Sequence, residues 1–162
     1  MPTPTHTLIE AVTLATSASS VTFSSIPSTG KGDLILVVNS VSGFGSFVKL
    51  KFNGSSSGYS YVRAEGSGSS ATSSASTYDA VIAGYTSNVW DTINIAHIMD
   101  YSATNKHKTV LVRANAAQDI GTGMYANRWA STDAINSIAI TDSNGDSFAA
   151  GSTFHLYQIV SE

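Results

Sequence analysis

The chain has 162 residues, 8 Lys and Arg against 11 Asp and Glu, no Cys, 13 Gly and 3 Pro, with abundant Ser and Thr. A chain of this length buries roughly 70% of its unfolded surface, so it closes the core of one compact domain without disulfide or metal. The missing cysteines exclude thiolate zinc sites and cysteine nucleophiles, and a net charge of −3 with 12% charged residues offers no basic field for nucleic-acid phosphates or anionic lipid.

Residues 1–6, with Pro2, Pro4 and His6, read as an extended, proline-stiffened arm of the kind that embraces a neighbouring subunit. This start lacks the basic region and apolar segment of a secretory signal, and no apolar run approaches the roughly 18 residues of a membrane span. The chain is therefore expected to be soluble and unprocessed. From residue 7 to 162 the signal is period two, with β-branched and aromatic runs separated by Gly, Asn, Asp and Ser clusters, which predicts a single all-β domain. Strands are predicted over 7–14, 20–26, 34–38, 47–52, 59–65, 92–101, 109–114, 125–129, 135–141 and 153–160, with 80–84 as a further candidate. In 34–38 both faces are apolar, as in a mid-sheet strand or one whose second face another subunit covers, and Leu34 and Leu36 are assigned to the core. In 47–52, Val48, Leu50 and Phe52 share one face and enter the core, while Lys49 and Lys51 take the wet face.

Asn53-Gly54 and Asn144-Gly145 most readily take positive φ and stand beside alternating runs, so both predict hairpins; Gly30-Lys31-Gly32-Asp33 likewise reads as a turn. Residues 66–76 carry nothing larger than Ala among their apolar side chains and are expected to form a loop, mobile or ordered by a partner.

Motifs that could carry chemistry fail on local context. Gly54-Ser55-Ser56-Ser57-Gly58 matches the elbow of serine hydrolases, but the elbow needs a following helix and residues 59–63 form a strand. Gly66-Ser67-Gly68-Ser69-Ser70-Ala71 and Gly121-Thr122-Gly123-Met124-Tyr125-Ala126 echo a dinucleotide fingerprint without opening a helix. Asp142-Ser143-Asn144-Gly145-Asp146 resembles the start of a calcium loop, yet Gly comes too early and Thr153 stands where the bidentate Glu belongs. His6, His97, His107 and His155 have no chelating spacing, and His97 and His155 are expected to pack as hydrogen-bonded strand residues. Neither a metal, a cofactor nor a catalytic residue is assigned. The aromatics are the strongest local signal for a contact surface, with Tyr59, Tyr61, Tyr78 and Tyr85 joining Pro2, Pro4 and His6 as candidate contact residues; such rings otherwise serve as core and rim.

The run Ala18-Ser19-Ser20-Val21-Thr22-Phe23-Ser24-Ser25-Ile26-Pro27, followed by Asp33-Leu34-Ile35-Leu36-Val37, resembles a family of tailed-bacteriophage structural proteins common in phages of aquatic bacteria, cyanobacteria included. The similarity continues in Lys51-Phe52-Asn53-Gly54, Gly58-Tyr59-Ser60, Ala134-Ile135-Asn136-Ser137-Ile138 and Phe148-Ala149-Ala150-Gly151-Ser152-Thr153-Phe154-His155-Leu156-Tyr157, covering most of the chain. It departs from the family pattern at Gly30 and at Gln158. The resemblance implies a jelly-roll-like antiparallel β-sandwich, found in capsid decoration (cement) proteins and in tail-fibre modules, with no catalytic motif. Val21, Phe23 and Ile26 are then core residues before the strand stop at Pro27, and Phe154 and Leu156 close the core.

The expected function is that of a decoration protein on the outer surface of the phage head, made in the bacterial host cytoplasm, which binds the major capsid protein and stabilises contacts between capsomers. A Met start and a chain that stops just after the last strand leave space for one module and a short arm, which favours decoration over a fibre domain. Self-association is expected, a trimer before a dimer, through the arm and exposed strand edges. The alternative is a receptor-binding tail module whose Tyr-rich loops hold host glycan; an enzyme, a nucleic-acid binder or a membrane protein is not expected.

Overall fold

The computed structural model describes residues 5–28, 32–43, 46–116 and 121–160. Its elements are β1 (His6–Thr13), β2 (Ser20–Phe23), β3 (Gly32–Ser40), β4 (Phe47–Phe52), β5 (Tyr59–Gly66), β6 (Ala71–Tyr78), β7 (Val81–Tyr85), β8 (Thr92–Met99), β9 (Lys108–Ala116), β10 (Thr122–Trp129), β11 (Ile138–Asp142) and β12 (Thr153–Val160). No helix occurs among the described residues. Every strand pair is antiparallel, in an eight-stranded sheet ordered β1-β12-β3-β8-β9-β10-β5-β6 and a four-stranded sheet ordered β2-β11-β4-β7, and the two pack as a sandwich.

The winding is simpler than the strand count. Without the β5–β6 and β9–β10 hairpins, the remaining strands form four nested antiparallel pairs, β4 with β7, β3 with β8, β2 with β11 and β1 with β12. Successive pairs lie in opposite sheets, a jelly-roll-like winding. The two hairpins then extend the larger sheet past the smaller one.

The core follows the alternation in the sequence. Leu34, Leu36 and Val38 of β3, Ala96 and Ile98 of β8, Val110 and Val112 of β9, and Phe154 and Leu156 of β12 face Val21, Phe23, Val48, Leu50, Phe52, Ile138 and Ile140 of the smaller sheet. Ile26, next in the chain after β2, is also buried, so each residue read as core lies inside. Each large side chain so buried contributes roughly 1.5–3 kcal/mol.

The smaller sheet ends at β7, whose free edge is satisfied from across the sandwich. Asn127 of β10 accepts from the Ile82 amide at 3.0 Å and donates to the Ile82 carbonyl at 3.1 Å, and Asn94 of β8 donates to the Tyr85 carbonyl at 2.9 Å. Two buried amide side chains thus act as a substitute neighbouring strand. Gly84 permits this approach: at φ 110° it has Asn94 Oδ1 only 2.0 Å from where a Cβ would stand.

Several expectations are corrected. The Ser-rich segment is not a loop: its residues from Ala71 on form β6, paired residue for residue with β5. A strand at a sheet edge needs only backbone partners, and every β6 side chain is exposed, so the absence of large apolar residues does not prevent pairing. Asn53-Gly54 makes the expected turn, with both residues at positive φ and the Ser55 amide donating to the Phe52 carbonyl, but it sends the chain from the smaller sheet to the larger and joins no hairpin. Asn144-Gly145 likewise turns between sheets, after β11. His6, expected in the arm, is the first residue of β1 and pairs with Ile159. Pro2, Pro4 and the Gly30-Lys31 half of a predicted turn lie outside the described residues.

Candidate contact surfaces

The residues that could have carried catalysis have structural partners. Ser56 sits in an exposed turn that runs directly into β5, so the hydrolase-like pentapeptide has neither helix nor elbow. Asp142 is buried, accepts hydrogen bonds from Ser42 Oγ at 3.0 Å and Ser46 Oγ at 2.5 Å, and caps its own turn through the Asn144 amide at 2.7 Å. Ser46 and Thr86 bond each other in the same cluster. His97 Nε2 lies 2.8 Å from Asp33 Oδ2, while His107 Nδ1 accepts from Arg128. Among the described residues no three His, Asp or Glu side chains gather as metal ligands, and no helix is long and apolar enough to cross a membrane.

Lys108 is a buried cation that the sequence does not distinguish from a solvated lysine. Its Nζ donates to the carbonyls of Ala103 at 2.6 Å, Lys106 at 3.2 Å and Thr132 at 3.3 Å, tying two loops to β9. Burial holds its ammonium below the ordinary lysine range, against the pull of Asp133 and Asp100.

Two surfaces remain. The first lies where the β5–β6 hairpin overhangs β7. Phe47 and Tyr85 rings stand 5.5 Å apart, the Arg63 guanidinium lies 5.5 Å from the Phe47 ring and 5.9 Å from the Tyr61 ring, Tyr61 meets Tyr78 edge-on at 6.4 Å, and Lys49 Nζ lies 5.4 Å from the Tyr78 ring. Aromatic rings and cations alternate along this ribbon, each cation over an electron-rich face. Carboxylates fix the cations: Arg63 Nη1 to Glu65 at 3.2 Å, Lys49 and Lys51 to Asp79 at 2.8 and 3.3 Å. Partial burial works to raise the Asp79 pKa, but the two ammonium groups hold it below the usual carboxylate range. Behind the ribbon, Tyr125 donates to Glu65 at 3.0 Å; burial drives its phenol far above the usual range, and burial with Glu65 pushes Tyr85 up to about 12.

The ribbon gathers three of the candidate contact residues: Tyr78 is exposed, and Tyr61 and Tyr85 are partly so. Tyr59 does not join them. It is 2% exposed, stacked on Trp129 at 6.0 Å and packed against Phe52, and its hydroxyl accepts from the Phe52 amide at 3.0 Å. The alternation places Tyr59 and Tyr61 on one face, but only the overhang of β5 past β7 leaves the second partly open. His6 is exposed at the start of β1, remote from the ribbon in strand order.

The second surface is the outer face of the eight-stranded sheet. The register aligns a row across every strand, from Leu8 through Tyr157, Ile35, His97, Leu111 and Ala126 to Val62 and Ala75. A second row sets Val37, Ile95, Arg113 and Met124 beside it. Leu8, Val62, Leu111 and Met124 are 51, 58, 40 and 60% exposed, and Ile93 further along the face is 49% exposed. From β12 to β5 the outward positions hold no Lys and no Glu. In the sequence this face shows only in the doubly apolar 34–38 run.

The chain matches no protein-family model, no curated protein and no solved structure.

Proposed function

We propose that the chain is a bacteriophage capsid decoration protein, without catalytic activity, that sits on the outer surface of the icosahedral head, binds the major capsid protein and stabilises contacts between capsomers. The observation that carries this reading is the β5–β6 ribbon. Tyr61, Tyr78 and Tyr85 are held by Arg63, Lys49 and Phe47 in one geometry before any partner arrives, so docking orders few side chains. Aromatic and Arg side chains in partly desolvated positions are the residues on which protein contacts concentrate their energy. The sequence resemblance to phage structural proteins supports the same reading, and repetition around a symmetric shell multiplies modest contacts by avidity.

The test is to add the purified protein to heads that lack it. Co-sedimentation should saturate at a fixed ratio to the capsid protein, and Tyr78→Ser should weaken it with little change in melting temperature. Undiminished binding by Tyr78→Ser rules out the ribbon, and no binding at all rules out the function.

A second reading, a tail module that holds host glycan, is supported by a shallow groove of about 460 Å³ beside the exposed Tyr78 ring. Ser57, Thr77, Asp79 and Arg128 line it with hydroxyl, carboxylate and guanidinium groups that suit a sugar. Glycan-array binding abolished by Tyr78→Ser, with no binding to heads, would decide for it.

A further inference from the structure

We propose that two copies of this chain pack face to face through the outer surfaces of their eight-stranded sheets, about a twofold axis that runs along the strands between β8 and β9. The proposal rests on the sheet alone and does not depend on where the protein acts.

Three properties of the face select a second copy as its occupant. The first is size. Eight strands about 4.8 Å apart and eight residues long at about 3.3 Å each make a face of roughly 34 by 27 Å, or about 900 Å², close to the roughly 800 Å² per partner of a stable protein interface. The second is shape: a twisted sheet is covered well by another sheet of the same twist, packed about 10 Å away and nearly aligned. The third is the placement of Asp33 and Arg128, which a twofold brings together.

The boundary between β8 and β9 is the centre of the sheet, with β1, β12, β3 and β8 on one side and β9, β10, β5 and β6 on the other. A twofold along that boundary lays β9 on β8 and β10 on β3 of the second copy, and keeps each residue in its own cross-strand row. Leu111 then covers His97 of the second copy, Ala126 covers Ile35 and Met124 covers Val37. From β12 to β5 the face carries one carboxylate, Asp33 on β3, which already holds His97 and the Asp100 amide. It also carries two guanidinium groups, Arg113 on β9, which the twofold lays along Ile95 of the second copy, and Arg128 on β10. Of these, Asp33 and Arg128 are the pair the twofold joins. They share a row, because Arg128 pairs with Thr109, Thr109 with Met99, and Asp33 precedes the Leu34 that pairs with Ile98. They also stand equally far from the centre. The twofold therefore sets Arg128 of each copy over Asp33 of the other, twice. Within one copy Arg128 touches only the ring nitrogen of His107 and no carboxylate among the described residues, so its charge is available. Any other shift of one face on the other separates these pairs. The self-contact thus falls on a twofold through the sheet, in place of a threefold through the arm.

Sedimentation equilibrium of the full chain decides the matter. The wild-type protein is expected to be a dimer at micromolar concentration. Leu111→Glu, on a residue already exposed and outside the core, should give a folded monomer with an unchanged far-ultraviolet spectrum. Arg128→Asp sets a carboxylate over Asp33 of the other copy, twice, and should weaken association by about tenfold or more; the exchange Asp33→Arg with Arg128→Asp should restore part of it. A wild-type monomer at high micromolar concentration overturns the proposal, as does a dimer or trimer that Leu111→Glu leaves intact. Should the double exchange fail to fold, the two single variants still decide.

Discussion

Replacing Tyr59 separates a residue that holds the fold from one that meets a partner. Its ring is stacked on Trp129 and packed on Phe52, and its hydroxyl is the acceptor for the buried Phe52 amide. Tyr59→Phe keeps the ring and strands that amide, at a cost of about 1–3 kcal/mol. Tyr59→Ala also removes the ring and leaves a cavity beneath Trp129, adding roughly 3–5 kcal/mol. Urea unfolding followed by tryptophan fluorescence reads both, because Trp129 lies against the altered side chain; the midpoint should fall in the order wild type, Phe, Ala with little change in slope. For a domain of this size each kcal/mol is worth roughly 2–4 °C in melting temperature. Tyr59→Phe within about 0.5 kcal/mol of wild type would refute the burial argument, and loss of partner binding at unchanged stability would return Tyr59 to the contact surface.

Other predictions bear on the same framework. Gly84→Ala sets a methyl group into Asn94 at a positive φ, and should destabilise by roughly 1–3 kcal/mol in the same assay; a neutral result would show that β7 lifts freely from β8. Asp142→Ala removes the carboxylate that accepts from Ser42, Ser46 and the Asn144 amide and should cost about 3 kcal/mol, whereas the exposed Asp146→Ala should cost less than about 0.5. Alkaline pH should weaken the fold. Burial raises the phenols of Tyr59, Tyr85, Tyr101 and Tyr125, so between pH 10 and about 12, where Tyr85 titrates, the unfolded chain loses tyrosine protons that the folded chain keeps. Each such group removes up to about 1.4 kcal/mol per pH unit, over the part of that window that lies below its own folded-state pKa. Lys108, with its pKa lowered, acts in the opposite sense below 10.5 but is one group against four. Unfolding midpoints that stay flat from pH 9.5 to 11.5 would contradict this assignment.

The alternation of 47–52 put Val48, Leu50 and Phe52 on the face that the structure buries, because period two follows from backbone geometry alone. What the sequence could not disclose is which strands share a sheet. Asn53 and Gly54 dictate a tight turn, but whether the next strand returns beside β4 or crosses to the other sheet depends on contacts far along the chain. β6 was hidden for a different reason: its Ser and Thr side chains carry no burial signal, and its pairing is a matter of backbone bonds to β5. The ribbon was half legible. Tyr61, Tyr78 and Tyr85 are visible as aromatics, but Arg63, Lys49 and Phe47 join them only through the overhang of one sheet past the other. Lys108 and Asp142 carry no local pattern that distinguishes a buried charge from a solvated one.

A module that covers a phage head is present in stoichiometric proportion to the capsomers, so quantitative mass spectrometry of purified particles should find its copy number in fixed ratio to the major capsid protein. A copy number confined to a tail appendage, or absence from the particle, would contradict that placement.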